Sequence, residues 1–334
     1  MGGASRLITW QMENYVAKLP GRKRGRALSR LAVAAVAAAL VGTSASAAVA
    51  DAPVPAPMKN LDMNKLAQAA PKAGAGAHAK ARATVRARTQ SATPVFGMFG
   101  VERSSGFLYQ YVLDGRGGFD ERTFVTGNWD LFRAAAPVDN DDNGDRDGMW
   151  AWDNAGNLYF NSATEHRTVG GGWNIYDKVL SPGNLGGGGA YDILARDKSG
   201  VLWLYLGYNN GQVDPRVKIG AGWGGYTQIA GAGDLTGDGK ADIVARDGSG
   251  VLWLYKGTGN YKAPFSSRVK IGAGWNGYNA LVGTGDVDLD GRADLVARGN
   301  DGKLWLYKGT GNASAPFAPR KQLGFGYNIY SWMF

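Results

Sequence analysis

The chain has 334 residues with a formal net charge of +9, 52 glycines, two histidines and no cysteine. Without cysteine there is no disulfide, no thiol nucleophile and no thiolate metal site. The positive charge is confined to the first 93 residues. Residues 1–50 hold seven Lys/Arg against one acid and residues 51–93 seven against two, whereas residues 94–334 hold 23 against 25. The part with globular composition is therefore slightly acidic, which removes the main support for nucleic-acid binding.

Near the N-terminus, a basic stretch through Arg22, Lys23, Arg24, Arg26 and Arg30 precedes an apolar run from Leu31 to Val41. Small residues follow, ending in Ala48-Val49-Ala50. This order reads as a secretory signal peptide over residues 1–50, so the mature chain is expected to be secreted. The apolar run is too short to cross a bilayer, which needs ~20 residues, so no integral span is expected after cleavage. Residues 51–93 are rich in Ala, Pro, Lys and Arg and carry few large apolar side chains. Burial there cannot offset the entropy of ordering, so a flexible tether is expected.

From residue 94 onward the chain repeats. The strand motif G-x-L-W-L-Y ends at Tyr205, Tyr255 and Tyr307, with weaker copies at Phe107–Tyr111 and Asn157–Phe160. A second landmark is an aromatic residue in or just after a glycine-rich turn: Trp129, Trp173, Trp223, Trp275 and Tyr327, spaced by 44, 50, 52 and 52 residues. Short strands at a period near 50 predict all-β propeller blades rather than a helical solenoid. In L-W-L-Y, Leu202 and Leu204 face one side, Trp203 and Tyr205 the other. Both sides are apolar, as a sheet held between two neighbouring sheets requires. The last repeat stops at Tyr330–Phe334, and the first lacks that strand and begins at Val95. The two ends are thus expected to complete one blade together, giving a five-bladed β-propeller closed by N- and C-terminal strands.

Three segments share an aspartate loop. Oxygen-bearing side chains fall at positions 1, 3, 5 and 9, with Gly at 6: Asp139, Asp141, Asn143 and Asp147; Asp234, Thr236, Asp238 and Asp242; Asp286, Asp288, Asp290 and Asp294. The backbone carbonyls at position 7, from Asp145, Lys240 and Arg292, would add a further oxygen. Ca²⁺ takes six to eight such hard ligands. Position 12 carries Trp150, Ala245 or Ala297 in place of a bidentate Glu, so the loop is not an EF-hand. Asn184–Asp192 has lost the ligands at 3 and 5 and is expected to be empty.

These D-x-[DT]-x-[DN]-G-x-x-D loops, each followed by an apolar strand and G-x-L-W-L-Y, resemble FG-GAP or VCBS repeats as in secreted actinobacterial proteins. The resemblance implies a propeller with calcium in inter-strand loops. Integrin α-subunit propellers carry similar loops on seven blades. The blade number here looks more like five-bladed tachylectin-type sugar-binding propellers.

Two functions follow as expectations. The first is carbohydrate recognition, of a glycan or cell-wall polysaccharide, through Trp129, Trp173, Trp223, Trp275 and Tyr327, since an aromatic face suits the C–H face of a sugar. The second is a protein-interaction platform for an extracellular protein partner. Solvent-open rings would favour the first, and buried rings with an exposed apolar face the second. No G-x-S-x-G elbow, P-loop or H-E-x-x-H occurs, and His166 is the one histidine outside the leader and tether, so no enzymatic activity is expected.

Overall fold

The computed structural model describes residues 54–63 and 93–334. The expected signal peptide lies outside the described residues. From Met98 onward twenty strands form five four-stranded antiparallel sheets, each a propeller blade. Blade 1 contains β1 (Met98–Glu102), β2 (Leu108–Tyr111) and β3 (Thr123–Thr126). Blade 2 runs through β4 (Phe132–Val138), β5 (Gly148–Asp153), β6 (Leu158–Ser162) and β7 (His166–Gly170). Blade 3 consists of β8 (Tyr176–Gly183), β9 (Asp192–Asp197), β10 (Leu202–Tyr205) and β11 (Val217–Gly220). Blade 4 is built from β12 (Tyr226–Ala230), β13 (Ile243–Asp247), β14 (Leu252–Tyr255) and β15 (Val269–Gly272). Blade 5 follows with β16 (Tyr278–Gly285), β17 (Asp294–Gly299), β18 (Leu304–Tyr307) and β19 (Lys321–Gly324). The last strand, β20 (Tyr330–Met333), returns to blade 1 and pairs with β1, Val101 opposite Trp332. Phe99 and Phe334 exchange both backbone hydrogen bonds, at 2.7 and 3.1 Å, and their rings stack at 5.1 Å. The ring closes as the register of the repeats predicts.

A single turn of 3-10 helix introduces each inner strand, at Trp129–Leu131, Trp173–Ile175, Trp223–Gly225, Trp275–Gly277 and Tyr327–Ile329. The residue before each turn is left-handed, with φ between 60° and 91°: glycine four times and Asn128 once. That conformation explains the repeated G-x-G-W, because only glycine adopts it without a Cβ penalty and asparagine tolerates it best of the others.

Blades 1, 3, 4 and 5 share one internal lock. The hydroxyls of Tyr111 and Tyr330, Tyr176 and Tyr205, Tyr226 and Tyr255, and Tyr278 and Tyr307 are hydrogen-bonded at 2.5–2.6 Å. The turn aromatic lies against the outer member of each pair, with ring centroids 4.5 Å apart for Trp173 and Tyr205, 4.6 Å for Trp223 and Tyr255, and 4.7 Å for Trp275 and Tyr307. Blade 2 lacks the pair, because Phe132 and Asn161 stand where the two tyrosines would be.

The vacancy is filled from the N-terminal side. Residues 54–63, which include the helical turn α1 (Ala56–Lys59), lie against blades 1 and 2. Met58, Leu61 and Met63 are buried in one cluster with Phe99, Trp129, Phe132 and Tyr159. Asn161 donates to the carbonyls of Met58 at 2.8 Å and Leu61 at 3.4 Å. Within the expected tether, Met58, Leu61 and Met63 are few, but they meet an apolar socket on blades 1 and 2. The rest of the tether up to residue 92 lies outside the described residues.

Candidate functional site

Each aspartate loop joins the inner strand of a blade to the next strand, so all three open on the same face of the ring. Position 1 shapes the loop: Asp139 accepts N–H bonds from Asp141, Asn143 and Gly144, and Asp286 from Asp290 and Gly291. Asp234 does the same for Thr236, Gly237 and Gly239. Position 9 ties the loop down. Asp242 accepts from Leu235 and Gly257, Asp294 from Val287 and Gly309, and Asp147 from Asn140. The position-5 side chains fold back onto position 7: Asp145, Lys240 and Arg292 donate their N–H to Asn143, Asp238 and Asp290 at 2.7, 3.1 and 3.0 Å.

Carboxylates at positions 1, 3 and 9 converge in two loops. Oxygens of Asp139, Asp141 and Asp147, and of Asp286, Asp288 and Asp294, lie within 4.8 Å of one another. In the loop of blade 4 the third position is Thr236, so two carboxylates face a hydroxyl. Burial raises the pKa values of Asp139, Asp242, Asp286 and Asp294 to about 7, against the lowering effect of their backbone hydrogen bonds. Asp288 Oδ1 is buried without a hydrogen-bond partner. Buried carboxylates with an orphaned oxygen are the donor set a hard cation satisfies. In blade 3, Asn184 and Asp192 keep the loop shape by accepting from Gly187, Gly188, Gly186 and Gly207, without carboxylates at positions 3 and 5.

The loops differ in how much positive charge the protein itself supplies. In blade 5, Lys308 Nζ lies 2.5 Å from Asp288 Oδ2, and in blade 4, Lys256 Nζ lies 4.0 Å from Asp238. Blade 2 has Ser162 at the equivalent position, directly after its third strand core. Its acidic loop therefore lacks that lysine.

The turn aromatics occupy the opposite face, and there the rings named as candidates for a sugar are largely buried. Trp129 and Trp173 are 0% and 1% exposed, Trp223 and Trp275 8% and 6%. Tyr327 is half-buried against Tyr111. The indole N–H groups of Trp129 and Trp173 have no partner. These rings are wedges between the hairpin turn of one blade and the inner strand of the next. Each turn residue donates its backbone N–H to the hairpin glycine ahead of it, as Trp223 does to Gly200 at 2.9 Å and Trp275 to Gly250 at 3.0 Å.

Sequence reasoning missed the blade-to-blade clamps on this face. Arg196 donates through Nη1 to the Trp223 and Tyr226 carbonyls at 3.0 and 2.5 Å. Arg246 bonds those of Trp275 and Tyr278, and Arg298 those of Tyr327 and Tyr330 at 3.1 and 2.9 Å. Arg133, from the inner strand, does the same for Trp173 and Tyr176 in the next blade, at 2.7 and 2.8 Å. The recurring Ala-Arg-Asp of residues 195–197 and 245–247, with Ala297-Arg298, was the available signal. Outside the clamps, Arg216, Arg268 and Arg320 lie 4.0–4.1 Å over Trp203, Trp253 and Trp305.

Fold and loops together define a five-bladed β-propeller of the binding-module class. Residues 187–245 and 234–297 match the family described as an FG-GAP-like repeat, so the propeller carries FG-GAP-like repeats. No curated protein matches the chain. Among solved structures, the chain is similar to the BP39L lectin from Burkholderia pseudomallei, with 14% identity over 70% of this chain and 68% of that one, TM-score 0.40. It is also similar to BBS1N in complex with ARL6DN, with 11% identity, 69% and 66% coverage and TM-score 0.35, spanning just under two thirds of that protein. A third likeness is to YCF48 bound to D1 peptide, with 10% identity, 70% of each chain and TM-score 0.31. Among the described residues no helix is long and apolar enough to cross a membrane.

Proposed function

We propose that the chain is an exported propeller, stabilised by calcium in its aspartate loops, whose opposite face docks an extracellular protein partner. The observation that carries the choice of partner is the inversion of exposure on the turn face. The aromatic rings suited to a sugar are buried, while Phe325 (82% exposed), Leu131, Ile329 and Phe107 stand open at the turns and Phe124 stands open on the outer strand β3. Phe107 and Phe124 meet edge to face at 5.2 Å. Exposed apolar groups gathered on one side of a ring mark a protein-docking surface more than a glycan cleft.

The calcium reading rests on the converged carboxylates of blades 2 and 5 and the orphaned Asp288 oxygen. Export rests on the leader, and a binding rather than an enzymatic role on the repeat class. A photo-crosslinking residue at Phe325 or Leu131, in cells that make the protein, is expected to capture a protein. A glycan array that retains the protein, with retention lost in Phe325→Ser, would shift the assignment to carbohydrate.

A further inference from the structure

The inner strands β4, β8, β12, β16 and β20 enclose an axial cavity of about 320 Å³. Toward the turn face its lining is polar, with Arg133, Lys178, Gln228, Asn279 and Arg298. Deeper, toward the aspartate-loop face, it is apolar, with Leu180, Ala230, Val282 and Phe334. At the loop face Pro94 packs among the glycines that end the inner strands: its carbonyl accepts from Asp286 N–H at 2.7 Å, and its ring lies against Gly233.

The charges at the polar end are unequal in what they touch. The four clamp arginines are held by carbonyls of the next blade. Among the inner-strand residues that follow each lock position (Arg133, Asp177, Thr227, Asn279 and Ser331), Asp177 is the one carboxylate. Arg196 takes both of its oxygens at 2.8 Å. Lys178 is left with no hydrogen-bond or ion-pair partner among the described residues. Burial lowers its pKa, as do Arg196 and Arg246 beside it, with Asp177 opposing. An ammonium group held in a partly apolar cavity among other cations is costly unless an anion joins it.

We propose that this cavity is a carboxylate site: Lys178 receives the charged group at the polar end, where Arg133 also lines the wall, and the apolar walls receive a short hydrocarbon body. A cavity near 300 Å³ is at the small end of ligand sites, which suits a compact monoanion. One unpaired cation above apolar walls suits a carboxylate better than a doubly charged phosphate. The carboxylate belongs either to a free small acid or to the C-terminus of a peptide, and the chemistry at Lys178 is the same in both.

The test is titration calorimetry on the full mature chain with four probes: phenylacetate, phenylacetamide, and the peptide Gly-Gly-Phe as free acid and as amide. Phenylacetate is expected to bind at least about tenfold more tightly than its amide, since the amide oxygen still accepts from the ammonium but carries no charge to offset it. Lys178→Met is expected to remove that preference. Gln228→Glu, at the equivalent level of the neighbouring strand, places an internal carboxylate beside Lys178 and is expected to abolish binding while the ring stays folded. It keeps the test decisive if the methionine variant fails to fold. Binding of the peptide acid alone assigns the source to a peptide terminus, and binding of phenylacetate alone to a free acid. Equal binding of acid and amide, binding unaffected by Gln228→Glu, or no binding of either acid at millimolar concentration would overturn the proposal.

Discussion

Asn161 donates its side-chain N–H to the carbonyl oxygen of Met58 at 2.8 Å, across 103 residues of chain. It stands where the other blades place the outer tyrosine of their hydroxyl pair. A polar residue inside a blade is tolerable there because a backbone carbonyl from outside the ring satisfies it. Asn161→Ala is expected to destabilise by ~1–3 kcal/mol, and Met58→Ala by ~2–5 kcal/mol through the cavity left beside Trp129. Deleting residues 51–63 should cost no less than Met58→Ala, measured by urea unfolding. A deletion without effect on the unfolding midpoint would show that the segment is not docked in solution.

Ring closure depends on the last four residues. Trp332 and Phe334 pack with Trp129, at centroid distances of 6.2 and 6.1 Å, and Phe334 bonds Phe99 through both backbone groups. Removing residues 331–334 takes away most of β20 and exposes the inner edge of blade 1. The melting temperature should fall by more than 10 °C on the scale where ~1 kcal/mol corresponds to roughly 2–4 °C for a domain of this size. Differential scanning calorimetry reads this directly.

Chelation is expected to lower the melting temperature, and the loops should not contribute equally. A site at a hundredfold excess over its dissociation constant adds about 2.7 kcal/mol. Blade 2 has no lysine equivalent to Lys308, so Asp141→Asn should reduce the calcium-dependent rise in melting temperature more than Asp288→Asn. The reverse ranking, or no response to calcium up to millimolar levels, would refute the assignment of these loops to calcium.

The turn tryptophans are expected to behave as core residues. Trp223→Ala and Trp275→Ala should each destabilise by ~3–5 kcal/mol, because each removes a ring stacked on the outer tyrosine of a lock. A folded double variant with an unchanged unfolding midpoint but lost polysaccharide retention would restore the carbohydrate reading.

Acid should loosen the hairpin turns. Hydrogen bonds from the Ser249 hydroxyl, the Trp253 indole and the Val251 amide hold the Asp247 carboxyl well below the usual carboxylate range. A group with a lowered folded pKa contributes stability above its unfolded value, about 3.9, and loses it as pH falls. Stability should thus be flat with respect to this group above about pH 5 and decline below about pH 4. In Asp247→Asn the decline below pH 4 should be shallower, followed by Trp253 fluorescence.

Much of this protein was legible in its sequence because the repeat is a local code. The left-handed glycine before Trp223, the alternation of Leu202, Trp203, Leu204 and Tyr205, and the spacing of Asp286, Asp288 and Asp294 each act within a few residues. Their recurrence near every 50 residues fixes five blades and a ring closed by both ends. What tertiary structure alone decided was where side chains go once blades meet. Trp173 faces Tyr205 rather than solvent because the hairpin of the preceding blade closes over it. Met58 is buried because Asn161, 103 residues further along the chain, and Phe132 leave a socket for it. Lys178 is left unpaired because Arg196 claims Asp177. Packing and charge pairing depend on which distant residues arrive together, and no local pattern carries that information.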